Sequence, residues 1–111
     1  MLTMDEQEFR TQSDRALVAL YNALASASDE HDFDTDMNNG ALAIEFEDPP
    51  AKFVISPNAP VRQIWVSAHS RSFKLDWDSA RTAFVMAATG QTLKELIEQQ
   101  IEQRTGEKIT L

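Results

Sequence analysis

The sequence predicts an α+β fold in which two helices pack on one face of a roughly six-stranded antiparallel sheet. Two observations at the ends and one in the middle predict it. Near the N-terminus Phe9, Ala16, Leu17, Leu20, Leu24 and Ala27 recur at helical spacing. Near the C-terminus Leu93, Leu96, Ile97 and Ile101 do the same. Between them lie short runs of alternating apolar and polar residues separated by turn residues, the period of a half-buried strand. Each helix has one apolar stripe. An antiparallel sheet needs only one face covered, so both helices on the same face is the economical arrangement.

Each element has a local reason. Thr3-Met4-Asp5-Glu6 reads as a capping box opening the first helix, which fades at Ser26-Ala27-Ser28. A strand over about 32–37 follows, closed by Asn39-Gly40, the dipeptide of a two-residue hairpin turn. Leu42, Ile44 and Phe46 alternate with Ala43, Glu45 and Glu47 in the next strand. Asp48-Pro49-Pro50 breaks it, and Lys52-Phe53-Val54-Ile55 forms a short third strand. Ser56-Pro57-Asn58-Ala59-Pro60 reads as a loop, because proline cannot donate to a central ladder. Strands over about 61–67, 72–77 and 82–86 follow. Thr92-Leu93-Lys94-Glu95 is a second capping box, and Gly106 is a C-cap. Ile109-Thr110-Leu111 is placed to plug the gap between the helix ends. The expectation is a single domain over residues 1–111.

Charge is strongly segregated. The net charge is −8, but residues 1–50 hold twelve acids against Arg10 and Arg15, and the remainder holds six acids against eight bases. Nucleic acid is a poor partner for the acidic half, since phosphate contacts need cations. Metal cations or a basic protein surface suit it, and such a field would steer both in diffusion. The absence of cysteine excludes a disulfide scaffold, a thiolate metal site and a cysteine nucleophile. No apolar stretch approaches a membrane span, and the first residues match no targeting peptide, so a cytoplasmic protein is expected.

The densest acidity is in Asp29-Glu30-His31-Asp32-Phe33-Asp34-Thr35-Asp36, with five carboxylates in eight residues. Asp32, Asp34 and Asp36 alternate, so they line one face of one strand. Carboxylates at that spacing stand roughly 6.5–7 Å apart along the chain. Metal–oxygen bonds are nearer about 2 Å, so neighbours must lean together to share an ion, with water completing the shell. Carboxylate and water ligands also suit manganese, magnesium and calcium. His31 is the nearby nitrogen donor; His69 lies in a turn. Asp34, Asp36 and Glu45 mimic positions 1, 3 and 12 of a calcium loop. The glycine falls one place late, however, and Leu42-Ala43-Ile44 continues as strand, so the hairpin reading is preferred. In Gln63-Ile64-Trp65-Val66-Ser67 the aliphatic residues face the helices, which puts Trp65 on the open sheet face beside Gln63. An indole there marks either a contact surface or a ring covered by neighbouring side chains. Trp77, at a strand end, reads as core. No phosphate loop, nucleophile elbow or histidine pair at ligand spacing is present.

The helix, acidic strand and Asn-Gly hairpin, the segments Val54-Ile55-Ser56-Pro57 and Pro60-Val61-Arg62-Gln63-Ile64-Trp65-Val66-Ser67, then Lys74-Leu75-Asp76-Trp77 and Gly90-Gln91-Thr92-Leu93-Lys94-Glu95-Leu96-Ile97 resemble the bacterial branch of the frataxin family over about residues 5–104. The resemblance implies a frataxin-like α–β sandwich that binds Fe²⁺ and Fe³⁺ weakly through surface carboxylates. It further implies docking on the cysteine desulfurase and scaffold protein of iron–sulfur cluster assembly, modulating its rate. The family's acidic ridge is matched by Asp29, Glu30, Asp32, Asp34 and Asp36, with His31 between them. Asp14 matches an acid that bacterial members carry on the helix, and Asp5 and Glu8 add acids near its start. Gln63 and Trp65, with Asp32 and Asp34, are the matched partner-binding residues. Where relatives place acids on the second half of the helix, this chain has Tyr21, Asn22, Ala25, Ser26 and Ser28. The expected protein is a monomer, with iron-driven oligomerisation as the alternative, and not an enzyme, beyond ferroxidase-like oxidation of bound iron, with neither a nucleic-acid nor a membrane partner. The competing readings are an acidic interaction module without a metal role and a carboxylate-metal enzyme.

Overall fold

The computed structural model describes residues 4–28, 33–47 and 50–111. Helix α1 spans Glu6–Ala27, strands β1 to β6 span Asp34–Asn38, Ala41–Glu47, Pro50–Asn58, Gln63–Ala68, Arg71–Asp78 and Ala83–Val85, and helix α2 spans Leu93–Thr105. The six strands form one antiparallel meander in sequence order. Helix α1 packs against β1, β2 and β3, and α2 against β6.

One core lies between the helix layer and the sheet. The helices contribute Phe9, Leu17, Leu20 and Leu24, and Leu93, Leu96, Ile97 and Ile101. The sheet answers with Leu42, Ile44, Phe46, Phe53, Ile55, Ile64, Val66 and Leu75, all at alternate positions of their strands. Fully burying one such side chain contributes about 1.5–3 kcal/mol. Two polar residues join them: Ser13 on α1, whose hydroxyl turns back to the Arg10 carbonyl, and Gln100 on α2. Ile109 is buried in the same core, and the Leu111 N–H donates to Glu98 Oε2 at 2.7 Å, so the tail closes over α2.

Several local expectations are met. Asn39 and Gly40 both have positive φ, 53° and 80°, as a two-residue type I′ turn requires. At α2, Thr92 and Glu95 form both bonds of the capping box, and Gly106 closes the helix in the left-handed region at φ 76°. Helix α1 ends at Ala27, where Ser28 caps it.

Two expectations are corrected. The N-cap of α1 is Asp5, whose side chain accepts the Glu8 N–H at 2.7 Å, so the helix does not start on a Thr3–Glu6 box. A carboxylate is as good a cap as a hydroxyl, and it here faces the positive helix end. The second correction concerns Pro57, which lies inside β3 opposite Ile64 rather than in a loop. The ladder from β2 ends at Leu42↔Ile55, whereas that from β4 runs on to Asn58↔Gln63. At Pro57 β3 therefore has a partner on one side only, and the missing N–H breaks no second ladder. Strand β3 is accordingly nine residues long, and only Ala59–Val61, a single 3₁₀ turn, separates it from Arg62 and β4.

Candidate functional site: the open face of the sheet

The residues that alternate with the core positions point away from the helices. Along β1 exposure alternates, with Asp34, Asp36 and Asn38 outward and Thr35 and Met37 half-buried. Phe33, buried immediately before β1 with its ring 6.0 Å from that of Phe46, fixes the parity of the strand. The two-residue turn then sets the register. Asn38 pairs with Ala41, so Asp36 faces Ala43 and Asp34 faces Glu45. Glu45 in turn faces Lys52 on β3. A row Asp34–Glu45–Lys52 thus crosses the face, two like charges directly opposed and one cation beyond them. Opposed carboxylates cost stability in a sheet, so this end of the face holds net negative charge at an energetic cost.

The centre of the face is aromatic. Ser56, Trp65 and Lys74 form one cross-strand row. The indole is 38% exposed, and the Lys74 ammonium sits 5.0 Å from its ring centroid. Its N–H donates to Gln63 Oε1 at 3.0 Å, and Gln63 Nε2 donates to Asp76 Oδ1 at 3.1 Å. The ring is therefore held in one orientation by a polar chain while part of it stays open to solvent. The ring is exposed at the surface, and a neighbouring strand's lysine covers part of it. Trp77, by contrast, is half-buried edge-on against Phe84.

The remaining candidates are placed as follows. Asp29, Glu30, His31 and Asp32 lie outside the described residues. Asp5 is committed to capping α1. Glu8 is exposed on the first turn of α1. Asp14 lines a groove beside Gly40 and Pro57, at the turn end of β1, whereas Asp34 begins that strand. Among the described residues no three of His, Asp and Glu come together as a metal-binding group. His69 Nε2 lies 3.1 Å from the Gln100 carbonyl oxygen, and its ring packs against Phe53 at 5.1 Å. Lys52, Lys74 and Asp76 are not among the site residues the sequence points to, and Glu45 enters there only as the last position of the disfavoured calcium loop. The hairpin register, readable from Asn39-Gly40, is the signal that brings Glu45 to Asp34.

A family model of the frataxin-like domain matches residues 2–107. The chain belongs to the frataxin-like family. Among named relatives, the iron–sulfur cluster assembly protein CyaY of Pseudomonas entomophila is 34% identical over 93 residues, 82% of this chain and 84% of that protein. The CyaY of Azotobacter vinelandii is 31% identical over 83 residues, 73% of this chain and 74% of that one. Among solved structures, the frataxin of Psychromonas ingrahamii superposes with a TM-score of 0.83 at 20% identity, over 96% of this chain and 97% of that one. Trimeric yeast frataxin superposes with a TM-score of 0.71 at 22% identity, over 86% and 80%. These likenesses establish the frataxin fold: two helices on a six-stranded antiparallel sheet. Among the described residues no helix is long and apolar enough to cross a membrane.

Proposed function

We propose that this frataxin-like chain modulates iron–sulfur cluster assembly, holding Fe²⁺ and Fe³⁺ weakly on surface carboxylates and docking on the cysteine desulfurase–scaffold complex in the cytoplasm. The observation that carries the reading is the shared face. Asp34, Asp36 and Glu45 point outward from the same side of the sheet that presents Trp65. Membership of the frataxin-like family and the cluster-assembly names of its relatives support it.

The donor set fits iron as cargo rather than as a resident cofactor. Asp34 and Asp36 stand next but one on the strand, about 6.5–7 Å apart, so they bind an ion jointly only by leaning and with water in the shell. Such a site takes up iron readily and gives it up readily, and discriminates little among hard divalent cations. The acids supply steering and electrostatic complementarity to a basic protein surface, while Trp65, with Gln63 orienting it, supplies a contact of larger area. No residue is assigned to bond chemistry. Any oxidation of iron held here is a property of the ion among carboxylates.

A second reading, docking without a metal role, is favoured by one observation: Glu45 faces Lys52 across the β2–β3 ladder, so one carboxylate of the row already has a cation opposite it. An anaerobic Fe²⁺ titration followed by amide NMR separates the two. The metal reading expects the Asp34, Thr35, Asp36 and Glu45 signals to shift or broaden first, at up to millimolar iron. If they stay unmoved while the fold is intact, the metal role fails and docking alone remains.

A further inference from the structure

The helix side of the molecule carries a second surface of the opposite character. A groove of about 560 Å³ runs between α1, the start of α2 and the β5–β6 hairpin. Its floor is apolar: Leu20, Phe84 and Leu93 are buried, and Trp77 lies edge-on against Phe84 at 5.1 Å. One wall is formed by Ala16, Ala19 and Ala23, which share a face of α1 and leave space above the floor. Two cations, Arg15 and Lys94, stand exposed on the rim, and among the described residues no Asp or Glu side chain lines the groove. In a chain of net charge −8 this is a local inversion of sign. One end already holds a tail residue without helix or strand structure. Leu111 lines the groove with its side chain half-buried, and its backbone is held by Glu98.

We propose that this groove docks an extended peptide segment of a partner protein, one that carries a bulky apolar residue flanked by carboxylates. The apolar residue would sit over Phe84 and Trp77 against the alanines, continuing the track of Leu111. The flanking carboxylates would pair with Arg15 and Lys94. The volume falls within the range of about 300–1,000 Å³ common to ligand sites. The buried anchor supplies affinity, and the rim cations select sign and speed encounter. This surface is distinct from the acidic sheet face, so a segment suited to one is repelled by the other.

The test uses the whole chain, ¹⁵N-labelled, and the synthetic peptide acetyl-Asp-Glu-Leu-Phe-Asp-amide, with its Lys-Lys-Leu-Phe-Lys counterpart and decanoate as separate arms. The acidic peptide is expected to shift the amides of Ala16, Ala19, Ala23, Thr82 and Lys94, and the basic peptide is expected to leave them unmoved. Arg15→Glu combined with Lys94→Glu should weaken binding about ten-fold or more. Ala19→Trp, which fills the groove from an exposed position, should abolish it. Thermal melts establish that each variant folds; if one does not, the paired peptides on the unaltered chain still decide. Silence at millimolar acidic peptide, equal binding of both peptides, or affinity unchanged in folded variants would overturn the proposal. So would decanoate moving these amides while the acidic peptide does not, which would make the groove a lipid site.

Discussion

Trp65 concentrates the site's energetics in one side chain. It is 38% exposed, capped by Lys74 and tied to Gln63. A cation–π contact at such a site is worth about 0.5–1 kcal/mol, and among the described residues Trp65 does not belong to the buried core. Trp65→Ala is therefore expected to cost about 1 kcal/mol or less in urea unfolding while weakening partner binding clearly; a loss of several kcal/mol would mean that the ring is core. Gln100 makes the opposite case. It is 2% exposed within the apolar stripe of α2, and its Oε1 accepts no hydrogen bond among the described residues. Replacing it with methionine, of similar volume, removes an unpaired buried acceptor and is expected to stabilise the protein by about 1 kcal/mol, read as a higher urea midpoint at unchanged slope. The outward direction of Trp65 was legible because strand alternation dictates it. The burial of Gln100 was not, because a polar residue between Leu96 and Ile101 gives no sequence signal of which edge of the stripe it occupies. The burial of Ser13 on α1 has no sequence signal for the same reason.

Among the elements, the first hairpin and α2 show local chemistry in agreement with tertiary structure. At Gly40, φ is 80° and a Cβ would meet nothing within 4 Å, so Gly40→Ala tests backbone conformation without a clash. The expected cost is about 1 kcal/mol, and a cost near zero would mean that the type I′ turn is not needed to hold Asp34 opposite Glu45. At α2, the Thr92 backbone N–H donating to Glu95 holds that carboxyl below its ordinary range, with the Thr92 hydroxyl and then the Arg81 charge acting in the same direction. A carboxyl depressed in the folded state contributes stability above its unfolded pKa and loses it as pH falls through the folded value. Glu95→Gln should therefore lower stability above the ordinary carboxylate range and leave it little changed at acid pH, so that the acid limb of the stability–pH curve flattens. The capping boxes also show where local reading succeeds and fails. Thr92–Glu95 is followed at once by the apolar stripe and has no competitor. Near α1, Asp5 supplies the cap, since its carboxylate reaches the Glu8 N–H, and Thr3 lies outside the described residues. Pro57 reads as loop in the sequence because proline is excluded from central strands, whereas its position is an edge on one side, and only the offset between the two ladders reveals this.

In the whole molecule, the two-layer fold separates two chemistries. The helix layer covers the core and carries a cationic, apolar groove. The sheet's open face carries the β1 acids beside an oriented indole. The layer order was legible in the sequence because two one-sided helices and six alternating strands admit few other solutions. The convergence of acids and tryptophan on one face was legible through strand parity. The geometry of a closed metal site was not, since it depends on side chains leaning across spacings wider than a metal–oxygen bond. The central claim is that the acids of this face dock a basic partner. It is tested most directly by calorimetric titration of purified cysteine desulfurase with the Asp34→Lys, Asp36→Lys double variant at low and high salt. Both positions are exposed, so the variant should melt close to the unaltered protein. The predicted result is binding for the unaltered chain that weakens with salt, and loss of at least about ten-fold in affinity for the variant. Equal, salt-insensitive affinity for both would contradict it.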